Sequence, residues 1–199
     1  MIATASARAC ARAFSRSFSN CLVYASLCFL IFSAAYVNTI TPQVYVGRNS
    51  ESAKVVSMTE GTTITQELPQ MTGALQRVGI YTSWFGEKKE ATLMIEIKDE
   101  EGNVLYETVI ESQAINEKGY TEHVLATPLA VSDEHNYSVC LRSENGTEED
   151  CVVIEIALGA DREGQLFCKV NEKDTVGVAE IYYMLRCPDW NTAKNYTKN

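Results

Sequence analysis

Two kinds of hydrophobic pattern divide the chain. Residues 17–47 contain no charged side chain and no histidine, and residues 21–37 are almost wholly apolar. Beyond this segment, apolar and polar residues alternate with a period of two, as they do over residues 93–98. A long continuous apolar run is typical of a membrane helix, whereas alternation is typical of a half-buried β-strand.

The apolar run predicts a membrane segment with a defined direction. A helix over residues 21–37 spans roughly 26 Å, and Phe18 and Ile40 extend it enough to cross a bilayer core. Residues 1–37 carry a charge of +3 from three arginines, and the remainder carries −12 because all 26 acidic residues follow the run. This asymmetry predicts a single-pass cell-membrane protein in the N-in orientation, with an extracellular ectodomain and membrane lipid as a partner.

A cleaved signal peptide is the alternative interpretation of the same segment. Ser33, Ala34 and Ala35 provide the small residues that a cleavage site after Ala35 requires. In that case the ectodomain is secreted. The sequence leaves both interpretations open.

The rest of the sequence predicts one all-β domain. Ten short segments have strand patterns, and no convincing amphipathic helix lies between them. The predicted strands are residues 54–58, 63–68, 76–82, 92–98, 104–110, 120–125, 137–142, 151–158, 165–170 and 178–185. Short strands at near-regular spacing predict an antiparallel β-sandwich, or jelly roll, preceded by one N-terminal transmembrane helix.

Five segments make up the expected domain organisation. They are a cytoplasmic basic tail at 1–16, a transmembrane signal anchor or signal peptide at 17–40, a stalk at 41–52, the β-sandwich ectodomain at 53–187 and a flexible tail at 188–199. About 160 residues after the anchor suffice for one domain with its own core.

Asn145 and Gly146 provide the clearest local signal, because Asn-Gly between two alternating runs is typical of a two-residue β-hairpin turn. With these residues at the tip, Cys140 lies opposite Cys151. The same register places Arg142 opposite Glu149 and Val139 opposite Val152. All three pairs are chemically compatible, so they support one register.

The hairpin register predicts a disulfide between Cys140 and Cys151, because directly opposed strand residues lie within disulfide reach and an extracytoplasmic site permits the bond. Two free thiols are the alternative. A second bond between Cys168 and Cys187 is a weaker hypothesis, because nothing in the sequence fixes their spacing.

The search for catalytic chemistry returns almost nothing. The sequence has no G-x-S-x-G, H-E-x-x-H, C-x-x-C or phosphate-binding glycine motif. No catalytic residue, metal site or cofactor is therefore predicted, and the chain is not expected to be an enzyme. Clustered Lys and Arg are absent, and the net charge is −9, so nucleic acid is not expected as a partner.

Aromatic residues are the candidate binding residues. Tyr81, Trp84 and Phe85 end one predicted strand and precede a polar loop. A tryptophan at the rim of a sandwich can stack on the apolar face of a sugar. The alternative is that Trp84 fills the end of the core, since Trp is usually largely buried.

Several segments together resemble a known module. They are TITQEL at 63–68, LQRVGIY at 75–81, LMIEIKDEEGNVL at 93–105, TPL at 127–129, NYSV at 136–139 and SENG at 143–146. This order is similar to the extracytoplasmic jelly-roll module of bacterial membrane proteins associated with envelope polysaccharide, and to galactose-binding and carbohydrate-binding sandwiches. The resemblance covers residues 52–156. That group usually continues into further membrane helices, so the chain is expected to be either a stand-alone anchored module or part of a polytopic protein.

The resemblance implies a binding or accessory function. The expected partners are an envelope polysaccharide or a neighbouring membrane protein such as a glycosyltransferase. Because the matched motifs form the fold and not a catalytic site, a second hypothesis stays open. In that hypothesis the ectodomain is an adhesion or receptor-like protein-interaction module without glycan binding.

Overall fold

A computed structural model describes residues 24, 26–28, 43–46, 53–158, 168–175 and 177–186. The chain divides into two compact units, Met1–Ile40 and Thr41–Asn199. In the first unit, residues 24 and 26–28 are helical and exposed, and the rest of the predicted anchor lies outside the described residues. Within the described part, helices fall short of the length and hydrophobicity that a membrane span requires.

The described residues of the second unit form β-strands and one short 3₁₀ helix, Ser112–Ala114. The described strands are β1 Gln43–Val46, β2 Ala53–Met58, β3 Thr63–Glu67, β4 Gly73–Phe85, β5 Leu93–Lys98, β6 Val104–Ile110, β7 Lys118–Val131, β8 Ser138–Arg142, β9 Cys151–Ala157, β10 Cys168–Val170, β11 Lys173–Asp174, β12 Val178–Ala179 and β13 Ile181–Arg186.

These strands form two antiparallel sheets. The seven-stranded sheet has the order β1–β13–β4–β9–β12, with β2 added on β9 and β7 added on β4. The six-stranded sheet has the order β11–β10–β3–β8–β5–β6. Both sheets contribute to one hydrophobic core, which confirms the predicted all-β sandwich.

Alternation along each strand builds this core. Ile64, Ile95 and Leu141 point inward from the six-stranded sheet, and Ile80 and Ile154 point inward from the seven-stranded sheet. Each of these side chains is at most 1% exposed. Burying one such side chain contributes about 1.5–3 kcal/mol, so the period of two that is visible in the sequence is the main source of stability.

Strand bounds follow the prediction where the pattern is local. β6 begins and ends at the predicted residues, β5 begins one residue later than predicted, and the two strands pair as a hairpin. Asp99 closes their turn, because its carboxylate accepts hydrogen bonds from Asn103 N at 2.7 Å and Nδ2 at 2.9 Å. β4 and β7 extend beyond their predicted bounds and pair with each other over most of their length.

The sandwich begins earlier in the sequence than predicted. β1 lies inside the segment 41–52 that was expected to be a stalk, and it pairs with β13 along Gln43–Val46. A strand that adds to an existing edge needs only backbone hydrogen bonds, so its four residues give a weak sequence signal.

The predicted hairpin between the strands that flank Asn145 and Gly146 is wrong. β8 lies between β3 and β5 in one sheet, and β9 lies between β4 and β2 in the other. Neither Asn145 nor Gly146 has the positive φ that the hairpin turn needs. Consecutive positive φ values occur instead at Asn171 and Glu172, where β10 turns into β11.

The disulfide derived from that register is not formed. Cys140 lies opposite Thr65 and Glu96, whereas Cys151 lies opposite Phe85 in the other sheet. Both cysteines are buried and unbonded. Because they lie in strands of different sheets, they lack the short Cα–Cα distance that pairing in a hairpin would have supplied for a disulfide. Cys168 is also buried and unbonded, and Cys187 lies outside the described residues.

Asn145 and Gly146 have a different structural role, since they join three loops at one end of the sandwich. Asn145 accepts from Thr92 N at 2.7 Å and donates to the Glu90 carbonyl at 3.1 Å, which fixes the β4–β5 loop. The carbonyl of Gly146 accepts from Glu60 N at 2.8 Å, which fixes the β2–β3 loop. We call these three loops and their contacts the loop junction.

Gln66 connects the two sheets through the core. This fully buried side chain projects from β3, and its Oε1 accepts from Ala179 N at 2.5 Å. Its Nε2 donates to the Ala179 carbonyl at 3.4 Å. The side-chain amide therefore satisfies both backbone groups of one residue in β12, which would otherwise be buried without partners.

Replacing Gln66→Leu should destabilise the protein by about 2–4 kcal/mol, because it leaves the buried N–H and C=O of Ala179 without partners. Chemical denaturation followed by circular dichroism measures the free energy of unfolding. Glu67→Ala changes the exposed neighbour and should stay within about 0.5 kcal/mol of the wild type. Equal stability of the Gln66→Leu variant and the wild type would show that the amide does not bridge the sheets.

Candidate functional site

The structure separates the three predicted binding residues between two faces of β4. Tyr81 and Phe85 lie on the outer face of the seven-stranded sheet, and Phe85 is 57% exposed. Trp84 points inward, packs against the core and places its Nε1 3.5 Å from the Ile115 carbonyl. Successive residues in a strand face opposite sides, so the three side chains cannot share one surface.

Tyr81 belongs to a group of three tyrosines on this outer face. Its ring centroid lies 5.4 Å from that of Tyr120 on β7, with an angle of 89° between the rings. Tyr120 in turn lies 5.1 Å from Tyr182 on β13, at 69°. Each edge-to-face pair is worth about 0.5–1.5 kcal/mol beyond its buried area. We call these three residues the tyrosine cluster.

Gly79 makes room for the cluster on the central strand. It lies between Glu122 on β7 and Tyr182 on β13 in the strand register. A Cβ at this position would lie only 2.1 Å from Cε1 of Tyr182. The absence of a side chain therefore lets the Tyr182 ring lie flat across β4 and reach β7.

Charged groups surround the tyrosine hydroxyls. The Tyr182 hydroxyl donates to Oε1 of Glu122, and Arg77 Nη1 lies 2.5 Å from Oε2 of the same carboxylate. The Tyr120 hydroxyl donates to Oε1 of Glu180 at 2.5 Å. Both carboxylates therefore accept charge-assisted hydrogen bonds, which fix the orientation of the rings.

The site changes the acidity of Tyr182. Burial raises the pKa of its hydroxyl to about 12, and the hydrogen bond to the negative Glu122 raises it in the same direction. The nearby Arg77 guanidinium acts in the opposite direction but has a smaller effect. Tyr182 is 2% exposed, so its hydroxyl remains a donor over the whole physiological range.

Glu180 is positioned where two strands of the sheet diverge. Its N–H donates to the Glu155 carbonyl of β9 at 3.1 Å, and its carbonyl accepts from Tyr81 N of β4 at 2.9 Å. The residue thus links β4 and β9 at the end of their pairing. This backbone arrangement places the carboxylate beside Tyr120.

Tyr182 and Tyr183 are consecutive residues of β13, and their side chains point to opposite faces of the sheet. Alternation requires one of two consecutive strand residues to leave the core. Tyr183 is fully buried in the core, where burial raises the pKa of its hydroxyl, and Tyr182 lies on the outer face. The alternation predicts the split, but only the pairing of distant strands shows that Tyr182 meets Tyr120 and Glu122.

The described residues offer little reactive chemistry. His123 is half-buried between β6 and β7, and its Nε2 lies 2.7 Å from the Tyr106 hydroxyl. Burial lowers the pKa of His123. Within the described ranges, no three His, Cys, Asp or Glu side chains converge to hold a metal ion.

Comparisons with known proteins do not assign the chain to a family. No family model matches the sequence, and a search of the curated proteins gives no match. One similar solved chain is described as "Structure of infectious bursal disease virus Gt strain". It has 12% identity and a TM-score of 0.27, and the alignment covers 79% of this chain and 45% of that chain. The chain thus spans less than half the length of that viral chain.

Replacing Tyr182→Phe tests the hydrogen bond to Glu122. At neutral pH the variant should be about 1–3 kcal/mol less stable, because a carboxylate loses a buried donor. Since the folded-state pKa is raised to about 12, the contribution of Tyr182 is complete below the unfolded value of about 10 and is lost as the pH rises towards 12. The stabilities of the two proteins should therefore converge in alkali.

Denaturant unfolding at a series of pH values provides this measurement. Val124→Ala changes an exposed neighbour on β7 and removes no titrating group, so its stability curve should run parallel to that of the wild type. A Tyr182→Phe curve that also runs parallel to the wild type in alkali would contradict the assigned hydrogen bond.

Proposed function

We propose that the chain is a non-catalytic, membrane-anchored extracytoplasmic binding module that holds a cell-envelope glycan on its tyrosine cluster. The observation that carries this proposal is the set of three edge-to-face tyrosine rings with two carboxylates and an arginine beside them. Aromatic faces stack on the apolar C–H faces of sugars, and the charged groups hydrogen-bond to sugar hydroxyls. Tyr182 is buried and supports the cluster, so the partly exposed rings of Tyr81 and Tyr120 provide the surface for the sugar.

The strand order supports the jelly-roll topology in this proposal. The orders β2–β9–β4–β7 and β3–β8–β5–β6 run through the two sheets, as expected for eight strands wound as two Greek keys. Sandwiches of this kind hold ligands on their sheet faces or at their loop ends, and the cluster occupies a sheet face. The charge asymmetry of the sequence supports the anchor and its orientation.

Binding of the full chain to an array of bacterial surface-polysaccharide fragments, followed by isothermal titration, tests the glycan proposal. Tyr120→Ala should raise the dissociation constant of a bound polysaccharide fragment by about tenfold or more, because it removes the central ring of the cluster. Tyr81→Ala provides an independent variant of the same cluster. Val109→Ala, an exposed change on β6 of the other sheet, should bind like the wild type.

Two results would overturn the glycan proposal. One is the absence of binding to every fragment by a correctly folded protein. The other is unchanged affinity in both tyrosine variants while their circular dichroism matches the wild type. Either result would require a different surface or a different ligand.

One observation favours a second candidate function, a protein-interaction ectodomain. Among the described strands, β2 pairs with β9 alone and so lies at an edge of this part of the sandwich, with Val55 60% exposed. An exposed edge strand can accept a strand from another protein. Crosslinking and mass spectrometry that recover one dominant protein through β2 would favour this function over glycan binding.

A further inference from the structure

An open cavity of about 440 Å³ lies beside the loop junction, at the end of the six-stranded sheet. Its lining includes Glu60, Thr62, Thr63, Arg142, Ser143 and Glu144. This volume falls within the range of about 300–1,000 Å³ that is typical of small-molecule sites. The tyrosine cluster lies on the other sheet and contributes no residue to it.

Contacts with Glu96 and Met94 fix the orientation of Arg142 in this cavity. The Arg142 Nη2 atom lies 2.9 Å from Oε1 of Glu96, and the Arg142 Nε donates to the Met94 sulfur at 2.9 Å. Glu96 is 5% exposed and also pairs with Lys98 Nζ at 2.9 Å. A guanidinium has five N–H donors, so two fixed contacts leave donors for a ligand in a set orientation.

The wall of the cavity is rigid because the loop junction forms it. Glu60 pairs with Ser143 across the two loops, and Glu60 N donates to the carbonyl of Gly146. A Cβ on Gly146 would lie 2.1 Å from the Met58 carbonyl oxygen, so the loops touch backbone to backbone. A site whose walls are already ordered loses little entropy when it binds a ligand.

The chemistry of the lining selects among ligand classes. One guanidinium and two carboxylates leave an excess of negative charge, which disfavours a free anion. The same groups offer both donors and acceptors, and the Thr63 hydroxyl offers both roles as well. The Thr62 hydroxyl is paired with that of Thr59 at 2.9 Å, and the Ser143 hydroxyl accepts from Gly146 N at 3.1 Å, so these two hydroxyls have less capacity left for a ligand. A neutral molecule with several hydroxyls satisfies all of these groups together.

We propose that this cavity is a second binding site and that it takes a neutral saccharide unit. Arg142 donates to ring or hydroxyl oxygens of the sugar, and Glu60 and Glu144 accept from its hydroxyls. The proposal does not rest on the tyrosine cluster, because the two sites share no residue.

Saturation-transfer difference NMR on the full chain tests the proposal, with glucose, galactose and N-acetylglucosamine as probes at up to about 50 mM, where millimolar affinities are detected. Thr63→Tyr fills the cavity, and Thr65→Tyr places the same ring two residues further along the same face of β3, outside the lining. We expect transfer to at least one sugar in the wild type and in Thr65→Tyr. We expect a loss of about tenfold or more in Thr63→Tyr.

Two further variants keep the outcome clear. Glu144→Gln changes an exposed side chain and should weaken the same signal without affecting folding. Val109→Ala, an exposed change on β6 outside the lining, should leave the signal unchanged. Binding in this cavity is lost in Thr63→Tyr and binding on the tyrosine cluster is lost in Tyr81→Ala, so failure of the glycan proposal and failure of this one are separable. Absence of transfer to all three sugars, equal signals in the two threonine variants, or displacement of the sugar by inorganic phosphate would each overturn the saccharide site.

Discussion

The close approach of Gly146 to the backbone of Met58 holds the chain where it crosses from one sheet to the other. A Cβ at Gly146 would lie 2.1 Å from the Met58 carbonyl oxygen, so a larger residue would push the β8–β9 loop away from the end of β2. Asn145 adds hydrogen bonds to the β4–β5 loop. The loops are joined at the point where β8 and β9 enter opposite sheets, and residues of both sheets contribute to one core.

Two carboxylates that are held against the outer faces of the sheets organise the two candidate sites. Glu122 contacts Arg77 and Tyr182 on the seven-stranded sheet, and Glu96 contacts Arg142 on the six-stranded sheet. Removing a carboxylate from water is costly unless it is paired and hydrogen-bonded, and the buried Glu96 meets this requirement through its ion pairs. The side chain of Glu122 is 45% exposed and holds Arg77 and Tyr182 through charge-assisted hydrogen bonds. The ring of Tyr182 and the guanidinium of Arg142 are therefore oriented before any ligand arrives.

Local patterns predicted much of the fold, and long-range pairing accounts for what they missed. Alternation and the turn at Asp99 act within a few residues of chain, so the observed bounds of β5 and β6 lie within one residue of the predicted ones. The Asn145–Gly146 signal is equally local, but an Asn side chain can bond to a distant loop as well as form a turn, and the hairpin and its disulfide were wrong. Alternation also places Tyr81 and Trp84 on opposite faces. The partners of Tyr81 come from β7 and β13, whose pairing no local pattern reveals.

The most direct test of this account is whether β8 and β9 lie in different sheets. Nuclear Overhauser effects between backbone protons of opposed strand residues report this pairing. The account predicts cross-strand effects from Cys140 to Glu96 and to Thr65, and from Cys151 to Phe85. A cross-strand effect between Cys140 and Cys151 would restore the hairpin and contradict the crossing between sheets on which the core and both candidate sites depend.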